Sequence, residues 1–425
     1  MKLFCCRYIL PIQSPALEQG GMVVDQGRIV AVGSAAELRR RYPHAEEVNF
    51  GEGILLPALV NAHTHLELSD FPQWAAAVDE PPLEQGGFTD WLLRLIRVKI
   101  ARRVSGDDSR QSWLHGVAQS LRSGSGVIGD ILSESGFYAT VAEQLPGRCY
   151  IEVLGHDPIR VHNQWQNLDH CLEHWPTSQW GAAPHAPYTI SDDLLAQSYR
   201  YTSCRHLPTT IHVAESADEV EFLHQHRGPM VDQFYPFVGW TPFLDVQRHK
   251  RPLACLEQAG ALRPDTLLVH GVHLNREEIA TVARAGCSMA LCPRSNAQLN
   301  CGVAPVADYL AAGVNLALGT DSLASNDSLS IWDEMAFARD WFNGDLSADQ
   351  LLYMATLGGA KAMGLDDLGC LAPGCRATFQ LLEPEQLPER DQMVEFLCQA
   401  ERSHDVSLVV IDGHIRYDQT TQEGR

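Results

Sequence analysis

The segment Ile54-Leu55-Leu56-Pro57-Ala58-Leu59-Val60-Asn61-Ala62-His63-Thr64-His65 places two histidines directly after a short apolar run. A run of this length, Ile54–Val60, is typical of a buried β-strand. Side chains two positions apart on extended backbone point to the same face, so His63 and His65 can bind one metal ion together. An isolated His-x-His pair is a weak signal, and the rest of the chain has to support it.

Seven further apolar runs follow, and stretches with helical periodicity separate them. The eight predicted strands are Ile54–Val60, Gly126–Ile131, Cys149–Leu154, Trp180–Ala183, Thr209–Val213, Thr266–Val269, Ser288–Leu291 and Val314–Leu318. Leu274–Ala285 and Pro305–Ala312 are two of the helical stretches. Strands that alternate with helices indicate a parallel sheet. At this count, in a chain of 425 residues, they predict an α/β fold, a (β/α)8 TIM-type barrel.

Both ends of the chain carry hairpin signals. Met22–Gly33 has two β-branched runs around Gln26-Gly27, and Val406–Tyr417 has the same form around Asp412-Gly413. We therefore predict one small β-domain built from both termini, the alternative being two separate hairpins. The predicted limits are 1–55 and 366–425 for its two parts and 56–365 for the barrel.

Polar side chains lie at the C-terminal ends of four more predicted strands. They are His185 after the fourth, His212 and Glu215 at the fifth, His270 at the sixth and Asp321 after the eighth. Active sites of β/α barrels lie at this end of the strands. Any one of these residues could be a hydrogen-bonded core histidine or, for Asp321, a helix N-cap. Five strand ends that converge on such side chains favour a functional site.

The residue types predict the chemistry of that site. Three imidazoles and one carboxylate suit one borderline divalent ion, zinc or ferrous iron, with a position left open for water. Such an ion lowers the pKa of its water towards neutrality. Glu215 and His270 then remain to move protons.

Five motifs at these strand ends can be compared with known families. They are His63-Thr64-His65, Pro184-His185-Ala186-Pro187-Tyr188, His212-Val213-Ala214-Glu215, His270-Gly271-Val272-His273-Leu274 and Gly319-Thr320-Asp321-Ser322-Leu323-Ala324-Ser325-Asn326. Together they resemble the cytosine-deaminase/chlorohydrolase branch of the amidohydrolase superfamily, over nearly the whole chain. The termini resemble that family's composite β-sandwich.

The resemblance implies a site with one metal ion, zinc being favoured and ferrous iron the alternative. The implied ligands are His63, His65, His212 and Asp321. Glu215 and His270 are the implied proton shuttles, His270 and Asp321 orient the attacking water, and His185 contacts the substrate.

The implied reaction is hydrolytic deamination of an amino-substituted nitrogen heterocycle with release of ammonia. Glu67, in His65-Leu66-Glu67-Leu68-Ser69, and Arg294, in Cys292-Pro293-Arg294-Ser295-Asn296, depart from the adenosine-type pattern. Both features look similar to aminofutalosine deaminases of the alternative menaquinone pathway. Arg294 is predicted to pair with a substrate carboxylate, the alternative being a salt bridge to Glu67 or to a surface acid. Ser322 is a further predicted substrate contact.

Several functions stay open at this stage. We favour 6-amino-6-deoxyfutalosine as the substrate over S-adenosylhomocysteine, methylthioadenosine or adenosine. A triazine or other C–N or C–Cl hydrolase, and a non-catalytic metal-binding relative, are further alternatives. Intact Glu215 and His270 count against the last, since a retired site has no need of proton shuttles.

Composition limits the partners to small molecules. A net charge of −21 repels phosphate backbones and anionic lipid, so we expect no nucleic acid and no membrane partner. We also expect neither a signal peptide nor a membrane-spanning run. The 12 scattered cysteines suit a reducing compartment, which predicts the cytoplasm. A homodimer is left open.

The segment Ala75–Leu93 is long and contains both proline and glycine. We predict an irregular loop there. A loop of that length at the C-terminal face of a barrel is more often a substrate lid than a linker.

Overall fold

The structure is a computed structural model that describes residues 1–80, 86–134 and 136–422. Its strands are β1 (Lys2–Ile9), β2 (Leu17–Asp25), β3 (Arg28–Ser34), β4 (Glu46–Asn49), β5 (Ile54–Pro57), β6 (Leu59–Thr64), β7 (Ser125–Leu132), β8 (Gly147–Val153), β9 (Trp180–Pro184), β10 (Thr209–Val213), β11 (Thr266–His270), β12 (Ser288–Leu291), β13 (Asn315–Leu318), β14 (Phe379–Leu382), β15 (Val406–Ile411) and β16 (His414–Asp418). Its α-helices are α1 (Ala35–Arg41), α2 (Phe71–Ala77), α3 (Phe88–Arg102), α4 (Gly106–Arg122), α5 (Tyr138–Gln144), α6 (Pro158–His174), α7 (Asp192–Cys204), α8 (Ala217–Gln225), α9 (Tyr235–Phe237), α10 (Pro252–Ala259), α11 (Arg276–Ala285), α12 (Pro293–Gln298), α13 (Val306–Ala312), α14 (Ile331–Trp341), α15 (Ala348–Tyr353), α16 (Gly359–Ala362), α17 (Met393–Leu397) and α18 (Gln419–Gln422).

The strands β6 to β13 form one sheet in chain order. Their pairing is parallel, for example between β10 and β11 and between β12 and β13. Thr64, the last residue of β6, forms a parallel bridge with Asp321 just after β13, so the sheet nearly closes into a barrel. Every residue of β7 is buried, as expected for a strand covered on both faces. The predicted β/α barrel is confirmed.

The first predicted strand is wrong in one respect. Ile54–Val60 is not a single barrel strand, because β5 ends at Pro57 and β6 begins at Leu59. β5 pairs with β1 and β14 of another sheet, whereas β6 belongs to the barrel. Every residue of both strands is buried, so the apolar run shows no break where the chain changes sheet. His63 consequently lies within β6 and not after the strand.

The chain termini build one mixed sheet, with the order β16-β15-β14-β5-β1-β2-β3 and β4 paired to β1. Both predicted hairpins are confirmed as the antiparallel pairs β2–β3 and β15–β16. Their turn residues, Gln26-Gly27 and Asp412-Gly413, all have positive φ, as a tight two-residue hairpin turn requires. The two turns touch, because a Cβ added to Gly27 would lie 2.7 Å from the carbonyl oxygen of Asp412. The sheet therefore folds over on itself. Its core includes Phe4, Ile9, Met22, Leu55, Phe379, Leu381, Leu408 and Val410.

Contacts divide the chain into two compact units. One comprises residues 1–62, 118–128 and 330–425 and contains the mixed sheet. The other comprises residues 63–117 and 129–329 and contains β8 to β13. The predicted domain limits 1–55, 56–365 and 366–425 stay a prediction.

The segment Ala75–Leu93 is more helical than we expected. Its beginning belongs to α2 and its end to α3, so the prediction of an irregular loop is wrong at both ends. The side chain of Asp90 accepts a hydrogen bond from the backbone N–H of Gly87 at 2.9 Å and so caps the start of α3. Residues 81–85 of the expected lid lie outside the described residues. Within the described residues, the helices are all too short or too polar to span a bilayer.

Candidate active site

Four side chains meet at the C-terminal ends of the barrel strands. His63 and His65 come from the end of β6, His212 lies in β10, and Asp321 follows β13. His65 Nε2 lies 3.3 Å from His212 Nε2, and Asp321 Oδ1 lies 3.7 Å from Nε2 of both His63 and His65. Ligand atoms bound to a tetrahedral ion at about 2.0–2.2 Å are themselves about 3.3–3.6 Å apart. The donor atoms therefore have the spacing that suits one divalent metal ion.

The protonation states of these imidazoles also fit a metal ion. The Nδ1 atom of His212 lies 2.6 Å from the carbonyl oxygen of His185, to which it must donate, so Nε2 keeps its lone pair. Within the described residues, neither ring nitrogen of the buried His63 has a hydrogen-bond partner. Burial, aided by the charge of His63, lowers the pKa of His65 to about 3, so His65 is neutral as a ligand must be.

Two buried serines hold the carboxylate of Asp321. Its Oδ2 atom accepts hydrogen bonds from Ser295 Oγ at 2.7 Å and from Ser325 Oγ at 2.8 Å. Its other oxygen, Oδ1, faces His63 and His65. Hydrogen bonds of this kind fix the orientation of a metal ligand and tune its basicity.

The backbone turns sharply where three of these strands end. Ala214, His270 and Asp321 have φ values of +50°, +70° and +56°. Such conformations cost non-glycine residues roughly 1–3 kcal/mol and cluster at functional sites. Here the turns follow His212, end β11 and precede Ser322, so they aim the side chains of the site.

Glu215 and His270 form an acid–base pair beside the metal cluster. His270 Nε2 lies 3.5 Å from Glu215 Oε1, while His270 Nδ1 lies 3.2 Å from Asn296 Oδ1 and donates to it. Burial lowers the pKa of His270 to about 4. Burial and the charges of Asp321 and Glu219 raise the pKa of Glu215 well above its usual range. At neutral pH the pair is thus a protonated acid next to a neutral base.

Two further predicted residues, His185 and Glu67, line the cavity in front of this centre. His185 Nδ1 lies 3.0 Å from Thr189 Oγ1, and burial lowers the pKa of His185 to about 4. The carboxylate of Glu67 accepts hydrogen bonds from the Ser133 hydroxyl and the Ser133 backbone N–H. Glu67 is therefore held in the cavity wall by the segment after β7.

The structure brings Ser322 to the cavity wall, but it does not bring Arg294 there within the described residues. Arg294 Nε donates to Asn326 Oδ1 at 3.2 Å, and its Nη2 pairs with the exposed Asp327. This is the surface salt bridge that was the alternative for Arg294. Its role as a substrate contact stays a prediction.

The cavity has a volume of about 700 Å³, which suits a ligand of nucleoside size. His65, His212, Glu215, His270 and Asp321 line one part of it. Aromatic and aliphatic residues of α3 and of the segment after α8 line much of the rest. They include Phe88, Trp91, Leu92, Phe234 and Trp240.

Several supporting residues escaped the sequence analysis. Ser295 and Asn296 orient Asp321 and His270, and Asp130 accepts hydrogen bonds from the backbone N–H of Leu66 at 2.9 Å and from Trp113 Nε1 at 2.7 Å. Their partners are far away in the sequence. Only Ser295 and Asn296 carried a signal, because they directly follow the seventh predicted strand.

A β/α barrel with imidazoles, an aspartate and an acid–base pair at the strand ends defines a metal-dependent hydrolase of the barrel type. A family model described as "Amidohydrolase family" matches residues 54–416. The chain belongs to the amidohydrolase family, which confirms the predicted resemblance. A model of the bacterial imidazolonepropionase-like composite domain matches residues 20–45.

Relatives and solved structures narrow the comparison. The aminodeoxyfutalosine deaminase of Deinococcus radiodurans is 34% identical over 85% of this chain and 86% of its own length. The 5-methylthioadenosine/S-adenosylhomocysteine deaminase of Desulforudis audaxviator is 29% identical over 96% of this chain and 91% of its own length. The crystal structure of an adenosine deaminase from Xanthomonas campestris with bound zinc is similar with a TM-score of 0.80 and 26% identity. It covers 98% of this chain and 93% of its own.

Proposed function

We propose that the chain is a zinc-dependent deaminase whose preferred substrate is 6-amino-6-deoxyfutalosine. The carrying observation is the Glu215–His270 pair, 3.5 Å apart and buried against the four-residue metal cluster. Hydrolytic deamination of an adenine-nucleoside-type substrate agrees with the names of the relatives. The finer choice of substrate is supported by the relative from Deinococcus radiodurans, at 34% identity.

The residues of the chain divide the work of such a reaction. When bound to His63, His65, His212 and Asp321, a zinc ion supplies Lewis acidity that makes a water molecule nucleophilic at neutral pH. The carboxyl group of Glu215 donates its proton to the ring nitrogen next to the carbon that bears the amino group.

The proton that water loses also has acceptors in place. The neutral His270 Nε2 takes it, and the Glu215–His270 pair then delivers it to the leaving amino group. Water and the amino compound thus give the oxo compound and ammonia. Each positioned acid or base contributes about 10²–10⁴-fold to the rate.

Deamination of 5-methylthioadenosine or S-adenosylhomocysteine is the second candidate. It is favoured by relatives of that name that align with 94–96% of this chain. Steady-state comparison of 6-amino-6-deoxyfutalosine, S-adenosylhomocysteine and adenosine tests the choice by ammonia release. The proposal expects the highest kcat/KM for 6-amino-6-deoxyfutalosine. A higher value for adenosine, which lacks a carboxylate, would contradict it.

Replacing Glu215 by glutamine tests the proton-transfer role. We expect Glu215→Gln to lower kcat by at least about 100-fold, because the amide cannot deliver the proton, while the metal content is unchanged. Glu221→Gln is a matched control on the next helix, since Glu221 pairs with Arg227 at the surface. Activity of Glu215→Gln close to the unmodified protein, with full metal content, would rule out the role.

Further parts of the proposal concern the setting of the enzyme. Its preferred metal is zinc, with ferrous iron the alternative, and its location is the cytoplasm. With the favoured substrate it would act in menaquinone biosynthesis by the alternative route. Substrate contacts through His185, Glu67 and Ser322 belong to the same proposal.

A further inference from the structure

A buried glutamate beside His185 has no assigned role. Glu152 is the penultimate residue of β8, and His185 follows the neighbouring strand β9. The side chain of Glu152 is only 9% exposed and lines the cavity. Its Oε1 atom lies 4.0 Å from His185 Nε2, which is beyond hydrogen-bond distance. No hydrogen bond joins the Glu152 carboxyl to any other residue of the ranges that the structure describes.

The position of Glu152 relates it to the part of the substrate that does not react. The ring of His185 lies 4.7 Å from that of His212, so His185 separates Glu152 from the metal cluster. Glu215 and His270, which handle the protons, follow or end β10 and β11, two and three strands away from β8. A ligand whose reacting carbon lies at Glu215 therefore meets Glu152 with a more distant group.

The surroundings of Glu152 indicate which chemical group that is. Burial, and then the charge of Glu67, raise the pKa of Glu152 to about 8, while Lys99 and Arg160 act in the opposite direction. Near neutral pH such a carboxyl group exchanges readily between a donor and an acceptor. A hydroxyl group also donates and accepts, so it satisfies Glu152 in either state.

We propose that Glu152 hydrogen-bonds a sugar hydroxyl of the substrate and makes the enzyme select ribonucleosides over deoxyribonucleosides. This inference rests on the proposed deamination of adenine nucleosides. A buried polar group that loses its partner discriminates strongly, because it can recover neither water nor another hydrogen bond. An enzyme with intact Glu152 thus rejects the analogue that lacks the hydroxyl.

The test compares adenosine with 2′-deoxyadenosine and 3′-deoxyadenosine in the zinc-loaded, full-length protein. We expect kcat/KM of the unmodified protein to fall about 10- to 100-fold for at least one deoxy analogue. In Glu152→Ala the ratio between adenosine and that analogue should shrink to within about threefold, chiefly through loss of activity on adenosine. Glu152→Met fills a similar volume without hydrogen bonding and should behave the same, which guards against misfolding of the alanine variant. Glu152→Gln keeps a donor and an acceptor and should retain most of the discrimination.

Glu143→Ala, in the exposed part of α5, is the control and should leave the ratios unchanged. Full discrimination in Glu152→Ala or Glu152→Met would overturn the inference but leave deaminase activity standing. Equal use of all three nucleosides by the unmodified protein would do the same. Release of no ammonia from any adenine nucleoside, 6-amino-6-deoxyfutalosine included, would overturn the proposed function and this inference with it.

Discussion

Replacing Ser295 by alanine tests how the metal ligand Asp321 is held. Ser295 is fully buried, and its hydroxyl donates to Asp321 Oδ2 at 2.7 Å. A hydrogen bond to a charged group is worth about 1.5–3 kcal/mol, and 1.4 kcal/mol corresponds to tenfold. Ser325 still donates to the same oxygen at 2.8 Å, so we expect the lower end of this range. Ser295→Ala should weaken metal affinity about tenfold, and Ser295→Ala with Ser325→Ala about 100-fold.

The assay is a chelator competition titration, followed by kcat measured at saturating metal. Ser120→Ala is the matched control, because the Ser120 hydroxyl is buried and has no hydrogen-bond partner within the described residues. A metal affinity of the double variant equal to that of the control would refute the reasoning, since Asp321 would then not depend on these hydroxyls.

Two other substitutions test neighbouring contacts. Asp130→Asn should lower the free energy of unfolding by about 1–3 kcal/mol in denaturant titrations, because one amide oxygen cannot accept from both Leu66 N–H and Trp113 Nε1. Unchanged stability would show that both donors find other acceptors. Gly319→Ala should lower the bound metal per chain, because the added Cβ would lie 2.8 Å from both Cβ and the carbonyl oxygen of His63. Full metal occupancy, measured by elemental analysis, would contradict that expectation.

The barrel was predictable because its strands are short, buried and separated by clear helical periodicity. The hairpins at Gln26-Gly27 and Asp412-Gly413 were predictable from their turn residues, which tolerate positive φ. The change of sheet between Pro57 and Leu59 was not, because burial on either sheet produces the same apolar run. The helical parts of Ala75–Leu93 were missed because proline and glycine were taken as signs of a loop. Pro72 lies in the first turn of α2, where proline is well tolerated.

The site was predictable where one strand end supplies one side chain. The residues His63, His65, His212, Glu215 and Asp321 were all named from strand ends, and the structure brings them together. Contacts between distant segments left no local pattern. The hydrogen bonds of Glu67 to the segment after β7 and the salt bridge of Arg294 with Asp327 depend on the folded backbone.

Anomalous diffraction from crystals of zinc-loaded protein would locate the ion directly. We expect one peak about 2.0–2.2 Å from Nε2 of His63, His65 and His212 and from Oδ1 of Asp321. A peak bound by other residues, or no peak between Asp321 and the two histidines that flank Thr64, would contradict the metal site on which the proposed chemistry depends.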